Sequence, residues 1–473
     1  MRLPLTILLT ICAFSCLAQD GYNIQFKVSG LKDTTVYLGY FINESSFVKD
    51  TATVNSKGEF AFQGSKPLLA GVYMLVLNRA KQFEFLVADD QHFTLVTDRT
   101  DYVQNMKISG DRDNTLFFEN IFFNIARNKE AEPFVKILQD SATKEDEKKG
   151  AREEMNKINA KVLAYQEDLI QKNGSTFTGR IIKSGKPVRI PDPPKRADGT
   201  IDSTFQLRWY REHFFDHFDL SDEALLRLPR PVYRDKIYQY LDKLYPPQAD
   251  SLTKAIARIV AKAKKNPETY KYSVFLSVLK YQSHEIMGLD EVYVNLYDTY
   301  FASGEMDFWA NANLKKNFKE QAERFRKSLI GKTGPNLIMQ DVNLKPRALY
   351  DIKNKYSILY VFKPDCPSCK EETPKLLNFY NQKKFDVEVF AVCSDSSMRN
   401  MRDYIKELNL KWITVNGPRS YVGPYQDLYD AMSTPTLYVL DEKKKIIGKK
   451  IPSEKLEDFL TQYERIQKLR ARL

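Results

Sequence analysis

Residues 357–377 read SILYVFKPDCPSCKEETPKLL, and this stretch decides the fold of the C-terminal part of the chain. Its first six residues form a nearly continuous apolar run, as in a strand that is buried on both faces of a sheet. A helix is predicted to begin at Pro367, because proline suits the first position of a helix. Beyond it, further strands and helices alternate, with strands at 387–392, 412–415 and 437–440 and helices at 398–408 and 453–469. This alternation predicts an α/β layer fold.

The spacing of Cys366 and Cys369 predicts redox chemistry. A cysteine at the start of a helix faces unpaired backbone N–H groups and the positive end of the helix dipole, so its pKa falls. Cys366 stands at that position and is the predicted nucleophile. Cys369, one turn further on, is placed to resolve a mixed disulfide. Half a zinc site is the alternative, but the sequence has no second C-x-x-C, and Cys393 alone cannot complete four ligands. Cys393 ends an apolar strand and is predicted to be an inert core thiol.

The segment from about 330 to 473 resembles the thioredoxin superfamily, specifically the exported thiol-disulfide oxidoreductases of the ResA/TlpA type. The resemblance depends on Cys366-Pro367-Ser368-Cys369, on Glu372 and Pro374 after it, and on Thr434-Pro435 before a strand. It implies that Cys366 and Cys369 form a redox-active disulfide and that Glu372 handles protons beside it. It also implies a cis peptide bond at Pro435, which lies against the cysteine pair and exposes the Thr434 backbone to an incoming substrate strand.

Two residues depart from the pattern of that family. Asp365 replaces the aromatic residue that often precedes the first cysteine, and its negative charge is expected to raise the pKa of Cys366. Tyr360 occupies the position of the buried aspartate of thioredoxin itself, six residues before Cys366, so the proton path is expected to depend more on Glu372. The alternative for Glu372 is a solvated helix charge, for which Lys375 is the expected partner.

The N-terminus reads as a signal peptide over residues 1–18. Arg2 supplies one positive charge, an apolar core of about ten residues follows, and small residues precede a cleavage site after Ala18. A lipoprotein signal with a lipid on Cys16 is the alternative, and a third reading is the unstructured start of a cytoplasmic protein. An exported protein with so few cysteines in its mature chain is not expected to use them in structural disulfide bonds.

Residues 22–107 alternate apolar and polar at period two and are broken by turn signals, which predicts a small β-sandwich or barrel. Predicted strand residues include Ile24, Phe26, Val28, Val36, Leu38, Tyr40, Phe60, Phe62, Val72, Met74, Val76, Phe83, Phe85 and Val87. His92, the only histidine of this segment, is predicted to be a surface or rim residue in a strand rather than a ligand.

Residues 108–325 have helical periodicity and are predicted to form an all-helical domain. Expected features are an N-cap at Asp113 or Asn114, a charged helix that stops at Asn173-Gly174, and helices at 205–218 and 232–244. The stretch 209–220 (WYREHFFDHFDL) resembles a bacterial helical domain of unknown function that lies between an exported β-domain and a thioredoxin-like domain.

His213 and His217 lie four residues apart in this stretch, a spacing that two zinc ligands could share. The sequence shows neither a third ligand nor an H-E-x-x-H pattern, so a structural helix is expected and no metal.

Composition excludes several classes of protein. The chain has 473 residues, 72 Lys+Arg and 61 Asp+Glu, and its acidic and basic residues are interspersed, unlike the concentrated charge of a nucleic-acid binder. Five cysteines exclude a disulfide scaffold. The lysines at 443–445 and 449–450 are predicted to form a charged, solvated turn beside a strand. No apolar run after the N-terminus is long enough to span a bilayer.

The sequence therefore predicts a three-domain protein: a β-sandwich or barrel at 22–107, an all-α domain at 108–325 and a thioredoxin-like α/β domain at 330–473. The predicted activity is an exported thiol-disulfide oxidoreductase of the periplasm or cell envelope, which reduces protein clients, uses an external thiol donor and needs no cofactor. Anchoring through a lipidated Cys16 and homodimerisation remain open. One rival is an envelope binding or assembly protein with an accessory or vestigial thioredoxin-like domain. Another is a peroxiredoxin-like peroxidase, although Lys363 stands where that family usually has Thr or Ser.

Overall fold

The fold is described from a computed structural model that covers residues 21–43, 45–195 and 197–472. The predicted signal peptide, with Cys16, lies outside the described residues. The chain divides into two compact units: one comprises residues up to Tyr240 together with Lys262–Thr269, and the other comprises Leu241–Ala261 and Tyr270–Leu473. These units are not the three predicted domains, whose boundaries stay a prediction.

The first unit begins with two four-stranded sheets. Their strands are β1 Tyr22–Ser29, β2 Thr34–Ile42, β3 Ser45–Val54, β4 Glu59–Gly64, β5 Gly71–Leu77, β6 Ala80–Val87, β7 His92–Asp98 and β8 Lys107–Ser109. The strand orders are β4-β1-β7-β8 and β3-β2-β5-β6. Side chains from both sheets fill one core, where Phe26 of one sheet lies edge-on to Phe85 of the other, with ring centroids 5.5 Å apart. The predicted β-sandwich is confirmed.

Most of the predicted strands are present because alternate residues face this core, as in β7, where every second side chain is buried. Strand β3 was not predicted because most of its side chains are exposed. Its first five residues are exposed and only Val54 is buried, so the strand shows no apolar alternation in the sequence. It is held by backbone pairing with β2 from Ser45 to Val54.

Helices fill the central region. They are α1 Arg112–Gln139, α2 Glu145–Asn173, α3 Phe177–Ser184, α4 Phe205–His213, α5 Val232–Leu244, α6 Ala249–Ala263, α7 Pro267–Gln282, α8 Asp290–Leu296 and α9 Ala312–Lys327. A short 3₁₀ helix spans Glu223–Arg227, and a π-helical turn follows α8 at Tyr297–Ala302. The predicted all-α character, the end of α2 and the extent of α5 are confirmed.

Two details of the helical prediction are wrong. The N-cap of α1 is Asp111, whose carboxylate accepts hydrogen bonds from the backbone N–H groups of Asp113 and Asn114. Those two side chains are used elsewhere, since the Asn114 amide pairs with the backbone of Leu86 in strand β6. Helix α4 ends at His213 rather than residue 218, and turns follow it.

The C-terminal part of the second unit is built on one seven-stranded sheet. Its strands are β9 Ile338–Asp341, β10 Pro346–Ala348, β11 Tyr356–Phe362, β12 Val387–Cys393, β13 Ile413–Ser420, β14 Thr436–Leu440 and β15 Ile446–Lys449. Its helices are α10 Pro367–Asn381, α11 Met398–Glu407, α12 Tyr425–Tyr429 and α13 Leu456–Arg470, with 3₁₀ helices at Leu349–Asp351 and Ser453–Lys455. The strand order is β10-β9-β13-β12-β11-β14-β15.

Strand β11 lies inside this sheet, parallel to β12 and antiparallel to β14. All seven of its residues are buried. Tyr360 and Phe362 join the core on one face of the sheet, and Leu359 and Val361 join the core on the other. The apolar run therefore reflects burial on both faces, as predicted. Strands β9, β10 and β15 and helix α12 were not predicted, because they are only three to five residues long.

The lysine-rich turn contradicts the predicted solvated surface at two positions. Lys444 is 7% exposed, and its ammonium donates to the carbonyl oxygen of Ile352 and the hydroxyl of Ser357, both at 2.8 Å. Lys449 is 6% exposed and forms an ion pair with Asp290 of helix α8. Burial lowers the pKa of both ammonium groups. These lysines are structural because partners distant in sequence satisfy them.

Candidate active site

The two cysteines of the motif lie at the N-terminus of helix α10. Cys366 is the N-cap, with φ −75° and ψ 120°, and Pro367 occupies the first helical turn as predicted. Strand β11 leads directly to this point through residues 363–365. Cys366 is half-buried, whereas Cys369 is completely buried, and both are free thiols. One thiol therefore faces outward and the other lies behind it, against the core.

The pKa of the Cys366 thiol is lowered. Its partial burial opposes ionisation, but hydrogen bonds from the Cys369 thiol, from the Thr434 side chain and from the backbone N–H groups of Cys369 and Ser368 outweigh that effect. The pKa of Cys366 is thus lowered although Asp365 precedes it, and the effect of the Asp365 charge itself stays a prediction. The Asp365 carboxylate is paired with the Lys363 ammonium at 2.9 Å in an exposed position, so its charge is largely compensated.

The pKa of the Cys369 thiol shifts in the opposite direction, to about 11. Burial is the main cause, and the neighbouring Cys366 adds to it because Cys369 donates a hydrogen bond to Cys366. The two thiols thus differ in the way that a nucleophile and a resolving cysteine require: the outer one ionises readily and the inner one keeps its proton.

A loop before strand β14 covers the cysteine pair. The Thr434–Pro435 peptide bond is cis, as the resemblance implied. Strand β14 pairs with β11 in a register that places Thr436 opposite Val361, which brings the loop to the edge of the sheet where α10 begins. The Cys366 thiol donates to the carbonyl oxygen of Thr434 at 3.5 Å. Both predicted substrate-binding residues therefore lie beside the predicted nucleophile.

Glu372 lies one turn beyond Cys369 on helix α10, and its side chain is 18% exposed. Its carboxylate accepts a hydrogen bond from the backbone N–H of Ser453, at the start of a 3₁₀ helix. The expected partner is also present, since the Lys375 ammonium lies 3.5 Å from the other carboxylate oxygen. Lys375 pairs in addition with Glu454 at 2.8 Å. These contacts fix the position of the Glu372 carboxylate on the helix that carries the cysteine pair.

A buried hydroxyl network lies behind Cys369, and the sequence did not indicate it. The Tyr360 hydroxyl lies 2.8 Å from the Thr373 hydroxyl, and the Tyr404 hydroxyl donates to the same oxygen at 2.9 Å. Tyr404 also lies 3.4 Å from the carbonyl oxygen of Cys369. Three hydroxyls thus occupy the region where thioredoxin has a buried carboxylate. Tyr404 could be placed there only from the three-dimensional packing of α11 on α10.

The remaining candidate residues do not join this site as reactive groups. Cys393 is fully buried at the end of β12, and burial raises its pKa to about 12, in agreement with an inert thiol. The His213 ring stacks on Trp209 and its Nδ1 lies 2.7 Å from the Asp216 carboxylate. Within the described residues, no group of three His, Cys, Asp or Glu side chains could hold a metal ion.

Among residues 21–43, 45–195 and 197–472, none of the helices combines the length and apolarity needed to cross a bilayer.

Three stretches of the chain match protein families. Residues 354–446 match a family described as thioredoxin-like. Residues 22–117 and 145–325 match two families that are described only as domains of unknown function, DUF4369 and DUF5106 respectively. The thioredoxin-like match contains both the cysteine pair and the Thr434–Pro435 loop. All parts of the candidate active site except the Ser453 contact of Glu372 and the Glu454 contact of Lys375 therefore lie within the matched residues.

Relatives with a named activity match the same part. The chain is 27% identical over 139 residues to the thiol-disulfide oxidoreductase ResA of Bacillus cereus, an alignment that covers 28% of this chain and 78% of that protein. It is also 27% identical over 119 residues to ResA of Bacillus subtilis, covering 25% of this chain and 64% of that one.

Solved structures are also similar. One is a domain of a possible thiol-disulfide isomerase from Cytophaga hutchinsonii, 36% identical, covering 30% of this chain and 97% of that chain, with a TM-score of 0.28. Another is a thioredoxin-like protein from Bacteroides caccae, 18% identical, covering 58% of this chain and 99% of that chain, with a TM-score of 0.46.

The fold, the cysteine pair and the named relatives define a thioredoxin-like domain of the thiol-disulfide oxidoreductase class at the C-terminus of this chain. This protein carries that domain after a strand-rich region and a helical region, each of which matches a family of unknown function.

Proposed function

We propose that this protein is an exported oxidoreductase that reduces disulfide bonds of protein clients through Cys366 and Cys369. The observation that carries the proposal is the contrast between the two thiols. Cys366 is accessible and has a lowered pKa, while Cys369 is buried and has a pKa of about 11. A pair with this asymmetry favours attack by one cysteine and delayed resolution by the other.

The reaction balances as two successive thiol-disulfide exchanges. The Cys366 thiolate attacks one sulfur of the client disulfide, the client S–S bond breaks, and the other client sulfur leaves as a thiolate that takes a proton from water. Cys369 then loses its proton and attacks the Cys366 sulfur. The second client sulfur leaves, so the client gains two electrons and the enzyme is oxidised to the Cys366–Cys369 disulfide. An external dithiol donor reduces that disulfide and restores both thiols.

We propose Glu372 as the group that accepts the proton of Cys369. Its position supports this role, because residues three apart lie on the same face of a helix. Replacing it by the neutral isostere, Glu372→Gln, should slow resolution of the mixed disulfide about tenfold or more, as loss of a general base does. Lys375→Gln is the control, because it removes the ion pair and keeps the carboxylate. If both variants resolve the mixed disulfide at the normal rate, Glu372 has only a structural role.

Thr434 and Pro435 are proposed to hold the client. The loop lies against the Cys366 thiol, and a client segment attached to that sulfur must pass beside it. The backbone of an extended client can pair with this loop through main-chain hydrogen bonds, which act on any side-chain sequence.

Export is part of the proposal. It is supported by the basic start, apolar core and small residues of positions 1–18, for which we propose cleavage after Ala18, with lipidation of Cys16 as the alternative route to the cell envelope. Mass measurement of the N-terminal peptide from cells distinguishes a cleaved chain that starts at Gln19 from a lipidated one that starts at Cys16. Homodimerisation would be read from sedimentation of the same mature protein.

The test of the activity is a trapping experiment in cell envelopes. With Cys369→Ser, the mixed disulfide between Cys366 and a client cannot be resolved, so clients should accumulate as covalent adducts that reducing agents release. Cys366→Ser is the matched control, because it lacks the nucleophile and should trap nothing. The absence of adducts in the Cys369→Ser strain, together with no disulfide reduction by the wild-type protein in vitro, would overturn the proposal.

A further inference from the structure

A cavity of about 470 Å³ lies beside the loop that covers the cysteine pair. The loop contributes Met432 to it, and the helical region contributes residues at the end of α7 and on α9, including Gln282, Gln321 and Phe325. All of these belong to the same compact unit. Its volume is within the range of ligand-binding sites. The helical region therefore forms one wall of a space whose other wall includes the loop before strand β14.

The distance from this cavity to the reactive sulfur is short. Thr434, whose carbonyl oxygen lies 3.5 Å from the Cys366 sulfur, follows Met432 by two positions. Their Cα atoms are at most about 7 Å apart. An extended client chain advances about 3.3 Å per residue, so a client joined to Cys366 reaches Met432 within two or three residues of its own cysteine.

The side chains of the cavity suit an extended peptide. Met432 is 65% exposed, and methionine adapts to apolar groups of different shapes. Phe325 is 4% exposed and adds apolar surface. The amide side chains of Gln282 and Gln321 carry both donors and acceptors, like the peptide groups of a backbone. The cavity thus offers apolar contact and backbone-like hydrogen bonding together.

Two of the charges that line the cavity, those of Asp430 and Lys450, are paired with each other, and the exposed Glu285 carboxylate also lines it. The Asp430 carboxylate lies 3.7 Å from the Lys450 ammonium and 3.8 Å from the guanidinium of Arg324. His284 accepts a hydrogen bond from the backbone N–H of Ile286 through Nδ1, which leaves its Nε2–H as a donor. An acidic client segment would meet the Glu285 carboxylate, and a charged segment of either sign would compete with the Asp430–Lys450 pair, so the cavity fits an uncharged segment.

We propose that this cavity binds the flank of the client disulfide, as an extended, uncharged segment with an apolar side chain two or three residues from the reacting cysteine. The helical region would then select clients for the redox domain. This inference rests on the proposed function, and it assigns the specificity of that reaction to Met432 of the thioredoxin-like domain together with residues of the helical region.

The test compares two disulfides with the full mature protein. One is bis(2-hydroxyethyl) disulfide, which is too small to reach the cavity. The other is a synthetic peptide disulfide with four uncharged residues, one of them leucine, on each side of every cysteine. We expect a higher kcat/KM for the peptide with the wild-type protein. Met432→Ala and Gln282→Ala should each lower the peptide-to-small-disulfide ratio about five- to tenfold.

Ile466→Ala is the matched control, because Ile466 is an exposed apolar residue of α13 that does not line the cavity. Its ratio should equal that of the wild type.

The inference is overturned if the flanking residues of the peptide give it no higher kcat/KM than the small disulfide with the wild-type protein, or if the cavity variants leave the ratio unchanged. A cavity covered by a second copy of the chain would also overturn it, and sedimentation would show a dimer that Met432→Ala weakens. Failure of the proposed function is distinct, because the wild-type protein would then reduce neither disulfide.

Discussion

The two active-site thiols should differ sharply in their rates of alkylation, and the structure allows the difference to be worked out. At pH 7 a cysteine with an ordinary pKa near 8.5 is about 3% thiolate. Cys366, whose pKa is lowered, exceeds that fraction. Cys369, with a pKa of about 11, is thiolate in about one molecule in ten thousand. Ionisation alone therefore favours Cys366 by at least about 300-fold.

Two other effects act on this ratio. A thiolate of higher pKa is intrinsically more nucleophilic, which returns a factor of about ten to Cys369. Burial acts the other way, because Cys369 is completely buried and must become exposed by local opening before iodoacetamide can reach it. Each 1.4 kcal/mol of opening free energy slows its reaction about another tenfold. Ionisation and nucleophilicity together leave about a 30-fold advantage and burial increases it, so we expect Cys366 to react at least about 30-fold faster.

The assay is alkylation of the reduced protein by iodoacetamide, quenched at intervals and read by mass spectrometry of the cysteine-containing peptides. The rate at Cys366 should rise with pH and level off below the pH at which a free cysteine levels off, because its pKa is lowered. Cys369→Ala removes the hydrogen bond that the Cys369 thiol donates, so the plateau for Cys366 should shift to higher pH. Cys393→Ala is the control and should leave the profile unchanged. Equal rates at Cys366 and Cys369, or an ordinary pH profile for Cys366, would refute this account of the site.

Two further predictions concern the structure around the site, both read from chemical denaturation. Lys449→Met takes the ammonium partner away from the Asp290 carboxylate, whose side chain is only 11% exposed, so it should lower the free energy of unfolding by about 3–5 kcal/mol. Lys450→Met, at a side chain that is 53% exposed, should cost less than about 1 kcal/mol. Equal losses would contradict the importance of the Lys449–Asp290 pair. Tyr404→Phe removes a buried hydroxyl that donates a hydrogen bond, so a loss of about 1 kcal/mol is expected, and an unchanged stability would show that this hydroxyl contributes nothing.

The chemistry of the site could be predicted because it depends on local sequence. A proline after Cys366 fixes the start of a helix, and the next cysteine then falls one turn further on. The nearly continuous apolar run at 357–362 is typical of a central strand that is buried on both faces, and all seven residues of strand β11 are buried. Each of these inferences needs only a few neighbouring positions.

Other features could not be predicted because they depend on residues far apart in sequence. The sequence around Lys449 predicts a surface charge. Its partner, Asp290, lies on a helix in another part of the sequence, so the ion pair is seen only in the folded structure. The effect of Asp365 on Cys366 could not be judged without the ion pair to Lys363 and the hydrogen bonds to the sulfur. Strand β3 carries too few buried side chains to show a pattern at all.

The site is assembled from parts that are 68 positions apart, the Cys366 thiol and the Thr434 carbonyl. At about 5–20 residues per second, a ribosome needs roughly 3–14 seconds to make that interval. During this time both cysteines exist in the growing chain without strand β14 and without the loop that later covers them. The unfinished chain therefore exposes both thiols to its surroundings. The loop reaches its place beside Cys366 only when residues 434–440 have been made and strand β14 has paired with β11.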